Sequence, residues 1–91
     1  MSLDITHDPA SHRFAVQVEG HEAELLYRQD GKRLIIDHTG VPQAIGGRGV
    51  AGELVKAALD YARTEGLRVV PACSYSAAYL QHHPEYADLV D

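Results

Sequence analysis

Residues 45–55 read IGGRGVAGELV and contain the pattern Gly-x-Gly-x-x-Gly, from Gly47 to Gly52. From Val50 onward, apolar residues recur at the spacing of an amphipathic helix, which predicts a helix over residues 49–65. Glycines that open a helix leave backbone N–H groups without a partner, and with the helix dipole these groups can bind a phosphate. The alternative is that the glycines only shape the entry of the chain into the helix.

The same glycine pattern occurs in dinucleotide-binding folds, but its surroundings here do not fit that use. In those folds the pattern directly follows a strand, and an acidic residue lies about 20 positions later. Here Pro42 intervenes after the strand, and Leu67 and Arg68 occupy the later positions. A P-loop is also excluded, because no Gly-Lys-Ser/Thr follows. A phosphate bound at these glycines would therefore not belong to NAD.

Residues before the glycines follow the period of β-strands, with apolar and polar side chains in alternation. Gly20 and the pair Asp30-Gly31 are typical of tight hairpin turns between such strands. After the first helix, an apolar run indicates a buried strand, and a second helix ends before Pro84. The expected strands cover residues 3–7, 13–20, 22–29, 33–40 and 67–72, and the second helix covers residues 74–83.

The order of these elements predicts the architecture. Successive hairpins give an antiparallel sheet, and a strand that returns after a crossover helix pairs in parallel, normally with a right-handed connection. We therefore expect an α+β fold, in which a mixed, mostly antiparallel sheet carries two helices and one βαβ crossover. At 91 residues the chain fits a single domain, over residues 1–91.

Composition and charge narrow the functional class. A net charge of −5 with scattered Lys and Arg disfavours a nucleic-acid surface, which needs clustered positive charge. No apolar run approaches the roughly 20 residues of a membrane span, and the first residues lack a secretion signal. One cysteine, Cys73, suits a reducing compartment. We expect a cytoplasmic protein without nucleic-acid or membrane partners, for which a monomer is compatible with the sequence.

Two further motifs carry a family resemblance. HT-x-VP occupies residues 38–42, and VVP-x-CSY-x-x-x-Y followed by HPEY lies within residues 69–86. With the glycines between them, these motifs resemble the core of the GNAT family of acyl-CoA-dependent N-acetyltransferases, in particular its minimal single-domain members. The pyrophosphate loop of that family follows Gln/Arg-x-x-Gly-x-Gly/Ala. Gly49 and Ala51 match it, whereas Gly46 replaces the Gln or Arg, so Arg48 is expected to supply the charge.

The resemblance implies how coenzyme A binds. The pyrophosphate would lie on the glycine loop, and the pantetheine arm would pair with a strand edge exposed where strands 34–41 and 69–72 part. A truncated fold is also implied, since DPASH at residues 8–12 is too short for the acceptor-site helices of larger relatives. Ser74 is also expected to cap the second helix. The implied coenzyme A site comprises Thr39, Gly40, Val41, Gly47, Arg48, Gly49, Val50, Ala51, Ser74 and Tyr75.

Candidate catalytic residues are Cys73, His38 and Tyr79. Larger relatives often use a Glu or an ordered water as base and a Tyr as acid, but no Glu lies on the strand before the loop, so Asp37 and His38 are the titratable candidates for the base. Cys73 is interpreted as an acyl-carrying nucleophile, a group beside the thioester or a small core residue. His38 and the tyrosines also have structural interpretations, as a hydrogen-bonded strand residue and as packed aromatics.

These residues lead to two main hypotheses. The chain is an N-acetyltransferase that moves an acyl group from acetyl-CoA to an unidentified amine, on a protein or a small molecule. Alternatively, it is an acyl-CoA-binding or interaction module with little or no transferase activity. A third, thiol-centred interpretation makes Cys73 a redox or acyl-carrying group. No metal site is expected, since the neighbours His82 and His83 point about 100° apart on a helix.

Overall fold

The fold consists of one sheet and two helices, in a computed structural model that describes residues 3–91. Apolar residues at alternate positions form the strands, and those at helical spacing form the helices, in the predicted order. The elements are β1 (Thr6–Asp8), β2 (Arg13–Val18), β3 (His21–Asp30), β4 (Arg33–Gly40), α1 (Val50–Glu65), β5 (Arg68–Pro71) and α2 (Ser74–His82). Short 3-10 turns at Gln43–Ile45 and Pro84–Leu89 precede α1 and follow α2.

The strands form one five-stranded sheet in sequential order, β1-β2-β3-β4-β5. The pairings among β1–β4 are antiparallel, whereas β4 and β5 pair in parallel across α1, which confirms the predicted crossover. Residues 9–12 alone connect β1 to β2, so no helix lies between these two strands of the described chain. This mixed, mostly antiparallel sheet with its helices confirms the α+β class.

The β3–β4 turn lies one residue later than predicted. Asp30 still pairs with Arg33 in the antiparallel ladder, so the two turn residues are Gly31 and Lys32. Gly31 has a φ angle of 59°, in the left-handed region that favours glycine. The glycine therefore sets where the hairpin turns. The pairing of Asp30 with Arg33 sets which two residues form the turn.

A bulge shapes the end of β4. Opposite Leu26 and Tyr27 of β3, β4 contains one extra residue, Asp37. The parallel pairing with β5 ends just before this residue, at Ile36 and Pro71. The remainder of β4 therefore extends past β5, and one of its backbone edges has no partner among the described strands.

The core lies between one face of the sheet and the helices. Inward side chains of the sheet meet the apolar stripe of α1, and Ile45, just before the glycine loop, is fully buried. Tyr86 and Leu89 close the core from the C-terminal segment, and the Tyr86 hydroxyl donates to Asp60 Oδ1 at 2.8 Å. Neither α1 nor α2, the helices of the described residues, is long and apolar enough to span a membrane.

Candidate functional site

The glycine loop leads directly into α1. Gly47 and Gly49 have φ angles of 76° and 78°, in the left-handed region that other residues adopt only with strain. The space around both is open, because a Cβ built on either residue would meet no atom within 4 Å. Backbone conformation rather than crowding therefore requires glycine at these positions, and the loop is an open cradle.

The N-terminus of α1 offers unpaired backbone donors. Gly49 is the N-cap residue, and the Glu53 N–H makes the first bond of the helix, to the Gly49 carbonyl oxygen at 3.1 Å. Within residues 3–91, no backbone acceptor pairs with the N–H groups of Val50, Ala51 and Gly52. These donors and the helix dipole are the groups that a phosphate site at the loop requires.

Arg48 lies in this loop, but its guanidinium already has a partner. It forms an ion pair with the carboxylate of Glu19, which stands on the β2–β3 turn with Gly20. The side chains of Arg48 and Glu19 are 42% and 61% exposed. The predicted positive charge of the loop is therefore paired with a carboxylate from another turn of the chain. Sequence reasoning missed Glu19, because nothing local to the turn signals a contact with a loop so distant in the chain.

Thr39 and Cys73 face each other where β4 and β5 part. The Cys73 N–H donates to the Ile36 carbonyl oxygen at 3.0 Å, and the Cys73 Sγ lies 3.8 Å from the Thr39 Oγ1. Burial raises the pKa of the Cys73 thiol. Hydrogen bonds from the Ser76 backbone and the Thr39 hydroxyl outweigh burial, so the pKa of the thiol lies below its ordinary value.

The prediction that Ser74 caps α2 is wrong. The N-cap residue is Cys73, no side chain makes a capping bond, and Ser74 is an exposed residue of the first helical turn. Ser76 is fully buried instead, and its Oγ donates to the Cys73 carbonyl oxygen at 2.8 Å. Sequence reasoning missed Ser76. Its signal is its place early in the helix, where a short hydroxyl side chain can bond back to the preceding turn.

Tyr75 and Tyr79, four residues apart in the sequence, share the face of α2 that packs on the first turn of α1. A Cβ on Gly52 would lie 3.4 Å from the Tyr75 hydroxyl and 3.5 Å from the Tyr79 ring. Burial raises the pKa of Tyr79, so its hydroxyl keeps its proton at neutral pH. The Tyr79 ring also stacks on His83, with 3.8 Å between ring centroids. Both tyrosines therefore lie beside the N-terminus of α1.

His38 lies apart from this cluster. Successive strand residues point to opposite sides of a sheet, so His38 and Thr39 face opposite ways. The His38 Nε2 is 2.8 Å from the position that a Cβ on Gly40 would occupy, and glycine there leaves room for the imidazole. Val41, the next residue, packs against the core. The structure therefore brings Thr39 and Cys73 together and leaves His38 exposed on the other face.

Asp37, the bulge residue, is held by Arg28 of β3. The Arg28 guanidinium donates two hydrogen bonds to the Asp37 carboxylate, at 2.7 and 3.0 Å. The hydrogen bond and charge of Arg28 lower the pKa of Asp37. A carboxylate held in this way is a weak proton acceptor, which counts against Asp37 as a general base.

The histidines of α2 bond to their own helix. The ring nitrogens Nδ1 of His82 and His83 bond to the carbonyl oxygens of Ala78 and Tyr79, at 2.9 and 2.8 Å. Among residues 3–91, no three His, Cys, Asp or Glu side chains are grouped to hold a metal ion.

Known proteins resemble this chain in sequence and in structure. Residues 13–89 match the family model described as GCN5-related N-acetyl-transferase. Protein NATD1 from Homo sapiens is 41% identical over 85 residues, which cover 90% of this chain and 75% of that protein. Protein NATD1 from Danio rerio is 33% identical over 93 residues, covering 97% and 84%. The solution NMR structure of a GCN5-like N-acetyltransferase candidate from Staphylococcus aureus matches with a TM-score of 0.77 and 32% identity, over 98% of this chain and 88% of that one.

Proposed function

Because the chain belongs to the GCN5-related N-acetyltransferase (GNAT) family, we propose that it transfers an acyl group from acetyl-CoA to an amine of a protein or small molecule. One observation carries the proposal. The free edge of β4 is followed, after the 3-10 turn at Gln43–Ile45, by a loop and helix N-terminus whose backbone donors have no backbone partner within residues 3–91. An extended amide chain that ends in a pyrophosphate needs both features side by side.

Coenzyme A fits the residues present. The open cradle at Gly47 and Gly49 and the N–H groups of Val50 and Ala51 suit a pyrophosphate. The backbone of residues 39–41 suits the pantetheine amides, since it continues past the end of β5. Acetyl-CoA, when bound, supplies an acyl group activated as a thioester.

Acyl transfer also needs a base for the attacking amine and an acid for the departing thiolate. We assign the acid to Tyr79, whose hydroxyl keeps its proton at neutral pH because burial raises its pKa. For the base we retain His38, whose exposed ring an amine can approach. Cys73, at the point where the strands part, lies beside the reacting carbonyl or accepts the acyl group itself.

Calorimetric titration with acetyl-CoA tests the proposal, with NAD as the control ligand. We expect saturable binding of acetyl-CoA and none of NAD. A panel of amines and peptide N-termini then follows, with acetylated product detected by mass spectrometry. A folded sample that does not bind acetyl-CoA would overturn the proposal.

The second candidate function is an acyl-CoA-binding module without efficient transfer. It is favoured by the positions of the two candidate bases, because Arg28 holds the Asp37 carboxylate and His38 points to the opposite face of the sheet from Cys73. The same titration followed by the amine panel separates the two functions. Tight binding of acetyl-CoA without turnover of any amine supports the module, whereas turnover with one amine excludes it.

A further inference from the structure

On the basis of the coenzyme A site proposed above, we propose that Glu19 competes with the phosphates of coenzyme A for Arg48 and thereby sets the affinity of the site. Arg48 lies between the two left-handed glycines of the loop, where a bound pyrophosphate would need its charge. Its guanidinium pairs with the Glu19 carboxylate, which comes from the distant β2–β3 turn. A ligand phosphate must therefore displace a carboxylate of the protein itself.

The conformation of Glu19 supports a role beyond the turn. Val18 pairs with His21, so Glu19 and Gly20 form a two-residue hairpin turn, with φ angles of 50° and 78°. Asn, Asp and Gly are favoured at both positions of such a turn, and Glu is not. Glu19 therefore has a strained backbone conformation, and such strain is common at functional positions. The Glu side chain is long enough to reach the Arg48 guanidinium, with which it forms an ion pair.

The strength of the pair suits competition. Both side chains are about half exposed, and exposed ion pairs are weak. A pyrophosphate, with more charge and several oxygen acceptors, can therefore take the guanidinium from a single carboxylate. An anion with a single charge competes less well with Glu19 for the guanidinium. After displacement, the Glu19 carboxylate stays near the bound phosphates and repels them. Both effects lower the affinity for coenzyme A relative to a protein without this carboxylate.

Calorimetry on four proteins tests the proposal, namely wild type, Glu19→Gln, Arg48→Gln and the double variant, each titrated with acetyl-CoA at low salt. We expect Glu19→Gln to tighten acetyl-CoA binding by about two- to five-fold, the range of an exposed ion pair. We expect Arg48→Gln to weaken acetyl-CoA binding. In the double variant, Glu19→Gln should tighten binding by less than it does in the wild type. Acetyl-pantetheine, which lacks the pyrophosphate, should bind wild type and Glu19→Gln equally.

Glu22→Gln is the matched control, because Glu22 follows the same turn but pairs with Arg13 instead. We expect it to leave the affinity unchanged, which separates local competition from a loss of net negative charge. Should Glu19→Gln fold poorly, Glu19→Asn replaces it with a residue that suits the turn, and the same gain is expected. If the wild type binds acetyl-CoA and Glu19→Gln binds it equally or more weakly, the inference is overturned and the proposed function is not. No acetyl-CoA binding by the folded wild type overturns the proposed function and the inference together.

Discussion

The Sγ atom of Cys73 lies 3.8 Å from the Oγ1 atom of Thr39, just past the point where the pairing of β4 and β5 ends. The two side chains meet just beyond the last paired residues of these strands, Ile36 and Pro71. A hydroxyl that can donate to sulfur favours the thiolate over the thiol. Thr39 therefore helps to lower the pKa of the Cys73 thiol.

Thr39→Val removes this hydroxyl and keeps the shape of the side chain. We expect the pKa of Cys73 to rise, because a hydrogen bond that lowers it is lost while burial, which raises it, remains. Alkylation by iodoacetamide at neutral pH should slow several-fold, and the curve of rate against pH should move to higher pH. Thr39→Ser, which keeps the hydroxyl, should alkylate like wild type. Equal rates for Thr39→Val and wild type would contradict the role assigned to Thr39.

Gly49→Ala and Gly52→Ala form a matched pair within the glycine pattern. Gly49 has a φ angle of 78°, so alanine there should cost about 1–2 kcal/mol of stability and weaken acetyl-CoA binding. Gly52 lies within α1, and its added Cβ would touch the Tyr75 hydroxyl at an ordinary 3.4 Å. Alanine at Gly52 should therefore raise stability by about 0.5–1 kcal/mol. Urea unfolding measures both, and equal effects of the two variants would refute this assignment of the glycines.

The Arg28–Asp37 pair should make stability depend on pH on the acid side. Arg28 lowers the pKa of Asp37 in the folded protein, so this pair stabilises the fold fully above the unfolded pKa of about 3.9. The contribution is lost as pH falls through the lower, folded pKa. The gap in stability between wild type and Asp37→Asn should thus be largest at neutral pH and shrink in acid. This gap in stability should be small even at neutral pH, because the Arg28 side chain is 66% exposed. Thermal melts of both proteins from neutral to acid pH measure this gap, and a gap that grows in acid would contradict the prediction.

Tyr86→Phe removes the hydroxyl that donates to Asp60 at 2.8 Å and leaves the buried ring in place. We expect a loss of about 1 kcal/mol, which is the net value of such a hydrogen bond. In a domain of this size that lowers the melting temperature by about 4–8 °C. Tyr75→Phe, at a tyrosine that is 41% exposed, should melt close to wild type. Similar losses for both variants would show that the bond to Asp60 contributes nothing specific.

Periodicity predicted most of the fold because burial acts on every residue of an element. The alternation in β2–β4 and the apolar stripe of α1 follow directly from which side chains reach the core. The glycine loop was predictable for a similar reason, since the residues that open α1 are local to it. Strands and helices whose periodicity and turn residues agree can therefore be predicted from a single sequence.

Details of the site depend instead on contacts between distant parts of the chain. Local preference favoured Ser74 as the helix cap, but packing of α2 buries Ser76 and turns its hydroxyl to Cys73. The bulge at Asp37 depends on how β4 pairs with β3. The contact of Arg48 with Glu19 depends on where a hairpin turn falls in three dimensions. The bulge at Asp37 and the Arg48–Glu19 contact have no signature within a few residues of themselves.

The sequential strand order also dictates how the chain assembles. Each of β1–β4 meets its neighbour through a short turn, whereas β5 reaches β4 only after residues 41–67 have been traversed. Closing a longer loop costs more chain entropy, so we expect the β1–β4 meander to form first and β5 to dock later. Docking of β5 is also the step that sets Cys73 opposite Thr39. The cleft proposed for acetyl-CoA is therefore the last region to assemble, and a ligand that spans it would act chiefly by slowing the reopening of that junction.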